Sequence, residues 1–332
     1  MSATAPETPL APAEPVLDGR WRKRSLLSFG VAVAILAVFL SRLEVDFGSI
    51  AGAVRTSDGR LVALAFAVHY LTFLLRAFRW RLLLQNAGVG ATIPSVIGLV
   101  RMIFLSWFAN CVIPAKLGDA YRGYQIKQSA GTSFSTAMGT IVAERLLDTL
   151  VLVGLLLVAA WNLGGASVAQ SEFAHRVIAA GVLLLTLGAL SLGAMWALRD
   201  KLHLRLPDRV QAQYVRFQEG TLTSFKRLAA IAPLSVGVWL GEAGRLFIVA
   251  QAMGLGLGFP FVIFLALANS FLTVVPFTPG GLGLVEAGVV GLLLLAGIDK
   301  ETAVAAALID RSISYWSIIA LGLPLFLSRR RI

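Results

Sequence analysis

Pro279-Gly280-Gly281-Leu282-Gly283 interrupts an almost unbroken apolar stretch, 259–297, and repeats the Pro-x-x-Leu-Gly pattern of Pro114-Ala115-Lys116-Leu117-Gly118, 165 residues earlier (114 to 279). Proline removes a backbone donor and breaks a helix, while glycine permits close approach and positive φ. Two more matches keep the same order and nearly the same offset. Glu144-Arg145 returns as Asp310-Arg311, and Ala77-Phe78-Arg79 as Ala243-Gly244-Arg245, each 166 residues on (144 to 310, 77 to 243). Any one match is weak; three in register indicate an internal repeat of broken apolar helices.

Composition names the solvent. The 332 residues are 57% hydrophobic and 14% charged, with mean hydropathy +0.80. A soluble domain carries about 25% charged residues, so this chain cannot cover itself with polar surface and lipid must surround it. The net charge of +11 lies in short runs beside apolar segments. That pattern fits cytoplasmic flanks against anionic headgroups, and no basic folded domain exists to bind nucleic acid. Cys111 is the single cysteine, and His69, His175 and His203 are scattered. These exclude an internal disulfide and make a zinc site an unfavoured reading; no cofactor is expected.

About 20 apolar residues cross a bilayer. The candidates are 26–41, 60–78, 94–113, 134–160, 177–198, 231–254, 259–277, 280–297 and 302–327. Residues 1–24 read as a disordered basic cytoplasmic tail. Basic runs at Arg20–Arg24, Arg76–Arg81, 199–227 and Arg329–Arg331 should all lie inside. That parity holds only if 94–113 turns back through 117–130 instead of crossing. The predicted fold is therefore an all-α polytopic membrane protein with about six full transmembrane helices and a pair of re-entrant helical hairpins. Within a membrane domain at 25–328, repeat one is expected at about 60–160 and repeat two at about 226–325, with inverted topology. The connector, about 199–230, reads either as an amphipathic helix on the cytoplasmic surface or as a plain solvated linker helix.

Ionisable groups at membrane depth cost roughly 2.5–3.5 kcal/mol each, so each calls for a partner or a purpose. Arg76 and Arg79 share a helical face, with Trp80 able to stack on Arg76; Arg76 could equally be an interfacial anchor. Glu242 and Arg245 are spaced to pair. Glu144 and Asp148 share a face beside Arg145, and Asp310-Arg311 repeats the arrangement with Tyr315 beyond. Asn110, Lys116, Asp119 and Arg122 surround the first breaker; Gly280, Gly281 and Glu286 surround the second. Amides freed at half-helix N-termini there are predicted to form an anion site. Two readings stand for these charges: a paired network locking hairpins to helices, and a wet pathway for a charged headgroup. No phosphate loop, nucleophile elbow or His-Glu-x-x-His occurs in the sequence, so neither ATP hydrolysis nor those hydrolytic chemistries are expected.

Arg76-Ala77-Phe78-Arg79-Trp80-Arg81, Asn110-x-x-x-Pro114-x-x-x-Gly118-Asp119-x-x-Arg122, Glu144-Arg145-x-x-Asp148 and Pro279-Gly280-Gly281-Leu282-Gly283-x-x-Glu286 together carry a resemblance. Over about 26–328 the chain resembles the lysylphosphatidylglycerol synthase transmembrane-region family, the flippase-like domain of multiple peptide resistance factors. The resemblance implies a lipid transporter in the cytoplasmic membrane of a bacterium or archaeon, with both termini cytoplasmic. It points first to Arg79, Asn110, Asp119, Arg122, Glu144, Arg145, Glu286 and Arg311. Expected partners are membrane lipids, anionic or lipid-linked, with a homo-oligomer or a separate lipid-synthesis enzyme as further options. Synthase members continue into an aminoacyl-transfer domain, whereas this sequence stops at Ile332, so synthase activity is not expected. The alternatives are an intramembrane lipid-modifying enzyme using Glu144, Asp148 or Glu286, and a scaffold for an envelope complex.

Overall fold

A computed structural model describes residues 41–90, 92–113, 117–163, 172–197, 207–272 and 278–328, with a few residues between 30 and 39. The tail 1–24, most of the predicted first span, Pro114–Lys116, 199–206 and 273–277 lie outside the described residues. The described elements are helical throughout, with no strand among them. In chain order they are α1 (Phe47–Thr56), α2 (Gly59–Asn86), α3 (Val96–Val112), α4 (Gly118–Ala130), α5 (Phe134–Leu163), α6 (Glu172–Ala197), α7 (Asp208–Ser224), α8 (Leu228–Ala252), α9 (Phe259–Leu272), α10 (Leu284–Leu295), α11 (Lys300–Arg311) and α12 (Ser317–Ser328).

Local chemistry sets the helix ends. The side chains of Asp46, Asp58, Ser95 and Asp299 each accept a first-turn amide of the helix that follows. Helix α2 runs eight residues beyond the predicted end at 78, because Arg79, Arg81 and the leucines after them are good helix formers. It stops where Gly88 takes a positive φ of 79°. A wide π turn over Ser312–Trp316 joins α11 to α12 and makes 300–328 one long helix.

Among the described residues, four helices are long and apolar enough to cross a membrane: Gly59–Asn86, Ile178–Ala197, Leu228–Ala252 and Lys300–Ser328; Val96–Val112, Phe259–Ser270 and Pro279–Leu295 are shorter apolar helices. The chain is an all-helical polytopic membrane protein. Helix α6 makes the solvent plain. Only 6% of its most apolar window is buried inside the protein, at a hydropathy of 2.1, a surface that water would not tolerate and lipid covers readily.

The repeat-related helices α2 and α8 pack along each other at the centre. One apolar core gathers α8, α9, α10 and α11; another gathers α2 and α3 with Ile318 of α12. Helix α7, in the predicted connector, is clamped on α5. A Cβ on Gly139 would lie 2.4 Å from the Phe217 carbonyl oxygen, and one on Gly220 2.6 Å from that of Thr136. Its Gln218, Thr221 and Ser224 are buried. Small residues seat segment 208–224 on α5, with one face buried and the other exposed.

Candidate functional site

The glycine of each Pro-x-x-Leu-Gly has its own reason. Gly118 allows α4 to approach α3, since a Cβ there would lie 2.0 Å from the Ser106 carbonyl oxygen. Gly283 supplies a φ of 89°, following Gly280 at 57° and Gly281 at 73°. Their amides are not open to a ligand. Gly118 N–H donates to Asn110 Oδ1 at 2.8 Å, and Gly283 N–H to Glu286 Oε2 at 2.6 Å. These two amides are taken by the protein's own oxygens, Glu286 capping its helix as an N3 carboxylate does.

Two charge clusters surround the α2–α8 pair. In the first, Arg79 of α2 reaches Glu144 at 3.0 Å, Asp148 at 2.5 Å and Ser235 Oγ at 3.0 Å. Arg122 of α4 holds the other oxygen of Glu144 at 3.0 Å and lies 4.5 Å from the Trp80 ring centroid. The Trp239 indole N–H donates to Asp148 at 3.2 Å. Arg79 is wholly buried. Every carboxylate here has a cation, as burial requires.

In the second cluster, Arg245 binds Asp310, and with Arg76 it shares Glu242, at 3.4 and 3.1 Å respectively. Arg311 bonds Glu286 at 2.7 Å and the Gly280 carbonyl at 3.1 Å, and lies over Tyr315. Arg145 holds Asp119 through both oxygens at 2.7–3.0 Å, with 42% of its side chain exposed. Arg76 is buried, not an interfacial anchor, and it stacks on Trp107 at 4.7 Å instead of Trp80.

The ion pairs repeat as the sequence does. Arg79–Glu144 and Arg245–Asp310 each span 65 residues, while Arg145–Asp119 spans 26 and Arg311–Glu286 spans 25. Arg76 and Glu242 occupy matching positions, 166 residues apart, and pair across the two halves.

Beside the second cluster opens a cavity. Arg76, Arg145, Arg245 and Arg311 border it, with Glu242 and Asp310 as its carboxylates. Asn110 and Gly280 also border it; Arg79, Arg122, Glu144, Asp148, Asp119, Gly281 and Glu286 do not. Lys116 lies outside the described residues. The sequence reading missed Trp107, Trp239, Asn269 and Ser314 on the cavity wall, and His69, whose Nδ1 stands 3.8 Å from Glu242; Thr278, beside Pro279 of the second breaker, also borders the cavity. Ser314 alone had a signal, because it sits 166 residues after Asp148.

Residues 27–322 match the family described as the lysylphosphatidylglycerol synthase TM region. The chain is 32% identical to a UPF0104 membrane protein of Methanocaldococcus jannaschii, over 66% of this chain and 93% of that protein. It is 26% identical to a UPF0104 membrane protein of Methanothermobacter thermautotrophicus, covering 91% and 92% of the two chains. It is also 27% identical to a Haloferax volcanii protein named glycosyltransferase AglD, over 89% of this chain but 53% of that one.

Proposed function

The chain belongs to the lysylphosphatidylglycerol synthase transmembrane-region family, and we propose that it is a lipid transporter of the cytoplasmic membrane. The polar headgroup of a phospholipid or lipid-linked molecule passes through the arginine-bordered cavity while its chains stay in the bilayer. One observation carries this reading: four guanidinium groups and two carboxylates border a single open space among otherwise apolar helices. Charge at membrane depth that faces a cavity marks a pathway, because the groups on its wall replace the hydration a headgroup leaves behind.

The twice-drawn ion pairs support a pair of repeats within 25–328, about 60–160 and 226–325. In this reading α3–α4 and α9–α10 are re-entrant hairpins, about six helices span the bilayer, the halves are inverted, and both termini are cytoplasmic. Movement is driven by a lipid or ion gradient, or by a partner such as a lipid-synthesis enzyme.

The name of the Haloferax relative favours a second reading, lipid modification. Against it, Glu144, Asp148 and Glu286 are each bound by an arginine, which leaves none of them poised as a general base. Reconstitution separates the two. Purified protein in liposomes with fluorescent phosphatidylglycerol should expose inner-leaflet lipid to an external quencher faster than empty vesicles do. Equal rates, with a chemically altered lipid recovered, would replace transport by modification.

A further inference from the structure

We infer that His69 is a proton site linked to the cavity, taking up a proton as the cavity takes up the phosphate of a lipid headgroup; the inference rests on the transport reading. Charge balance leads to it. The arginines bordering the cavity, Arg76, Arg145, Arg245 and Arg311, are matched by Glu242, Asp119, Asp310 and Glu286, four carboxylates against four guanidinium groups. A phosphate entering among these balanced pairs brings a negative charge that none of them offsets. Charge at membrane depth calls for a partner, and a proton held behind the wall supplies it.

His69 is wholly buried in α2, and neither of its ring nitrogens has a hydrogen-bond partner. Its Nδ1 stands 3.8 Å from Glu242 Oε2, a gap that a small side-chain movement closes. The rings of Tyr70, Phe73 and Trp107 stand edge-on around it, with centroids at 5.4, 5.6 and 6.3 Å. The charges that act on it are Glu242 and Arg245 of α8 and Arg76 of its own helix. Helix α5 commits Glu144 and Asp148 to Arg79, Asp310 of α11 is held by Arg245, and Ser317 of α12 bonds Tyr70. A proton passes from the cavity to Glu242, which borders it, and on to the imidazole lone pair. The imidazolium then competes with Arg76 and Arg245 for Glu242 and loosens a guanidinium towards the phosphate. The linkage is reciprocal, since bound phosphate favours the proton as the proton favours phosphate. The repeat marks the same distinction: 166 residues after His69 stands Ser235, whose hydroxyl accepts from Arg79 in the other cluster. A hydroxyl there does not titrate near neutral pH, whereas a histidine does.

The test is binding of short-chain phosphatidylglycerol, whose phosphodiester does not titrate near neutral pH, to the full chain in detergent. Tryptophan fluorescence reads it, since Trp107 and Trp239 border the cavity. Affinity should rise as pH falls from about 8 to about 6, by up to about tenfold per unit. Calorimetry in buffers of different ionisation heat should count up to about one proton taken up per lipid bound. His69→Gln should flatten the pH dependence, while His175→Gln should keep it. Dimethyl phosphate, the same diester without chains, should bind more weakly; equal affinity would make the ligand a free anion and overturn the headgroup assignment. Affinity independent of pH, or His69→Gln with the wild-type slope, overturns the proton site. Should His69→Gln fail to fold, a proton count of zero for the wild-type chain overturns it alone. If protons are taken up but reconstituted protein moves no lipid, transport falls and the linkage stands. If lipid moves while affinity ignores pH, the linkage falls and transport stands.

Discussion

Arg79–Glu144 and Arg245–Asp310 are one ion pair drawn twice, 65 residues apart within each half, yet the first is sealed in protein and the second borders a cavity. Two matching positions account for the difference. The first half adds Asp148, which gives Arg79 a second carboxylate, and Arg122, which gives Glu144 a second cation. The second half has Ser314 where Asp148 would fall and Ala287 where Arg122 would fall. The missing pair leaves a shorter side chain at Ser314, which lies on the cavity wall. The network reading and the pathway reading, both open from the sequence, therefore attach to different clusters: the Arg79 cluster is closed off in protein, and the proposed path lies at the cavity, which Arg76 and Arg145 of the first half also border.

Arg79→Ala should show the largest effect. It strands Glu144 and Asp148 in a dry interior and should cost about 3–5 kcal/mol, seen as loss of folded, monodisperse protein or a collapse of the thermal transition in detergent. Arg245→Ala leaves carboxylates that cavity water can reach, and should cost less, about 1–3 kcal/mol. Equal costs would break the contrast between halves. Ser314→Asp rebuilds in the second half the carboxylate of the first. Lipid movement should then fall about tenfold, by repulsion of the headgroup, while the melting temperature changes little; unchanged transport would show that the wall charge does not matter.

Arg145→Ala sharpens the same point at a half-exposed pair. Its stability cost should stay under about 1 kcal/mol, yet transport should drop several-fold. Asp299→Ala is the control remote from both clusters. The backbone amide of Thr302 holds the Asp299 carboxyl below the usual carboxylate range. Its contribution is therefore present above the unfolded value of about 3.9 and is lost as pH falls through the lower folded one. The substitution should cost about 0.5 kcal/mol at neutral pH, measured by thermal unfolding, with transport intact.

Much of this was legible in the sequence because period and offset survive folding. Among the described residues most apolar runs became helices near their predicted bounds, the 60–78 run extending to Asn86, and the 166-residue offset foretold which arginines and carboxylates would hold matching places. Cross-element partners were not legible. Arg76 stacks on Trp107 of α3 and Arg122 on Trp80 of α2, and helical spacing along one segment carries no information about a neighbour's face. Nor could the sequence tell that Glu286 would take the Gly283 amide, one of those offered to the predicted anion site. The cavity itself was hidden because space depends on the small residues on its wall, and of these Ser314 was marked only by its offset of 166 residues from Asp148.

The most direct measurement is a structure of the protein in lipid nanodiscs containing phosphatidylglycerol. A headgroup phosphate should stand within hydrogen-bond reach of Arg145 or Arg311, and no lipid should contact Arg79. A headgroup seated against Arg79 and Glu144, or a cavity sealed from lipid in the presence of saturating phosphatidylglycerol, would contradict the assignment of the Arg79 cluster as lock and the cavity as path.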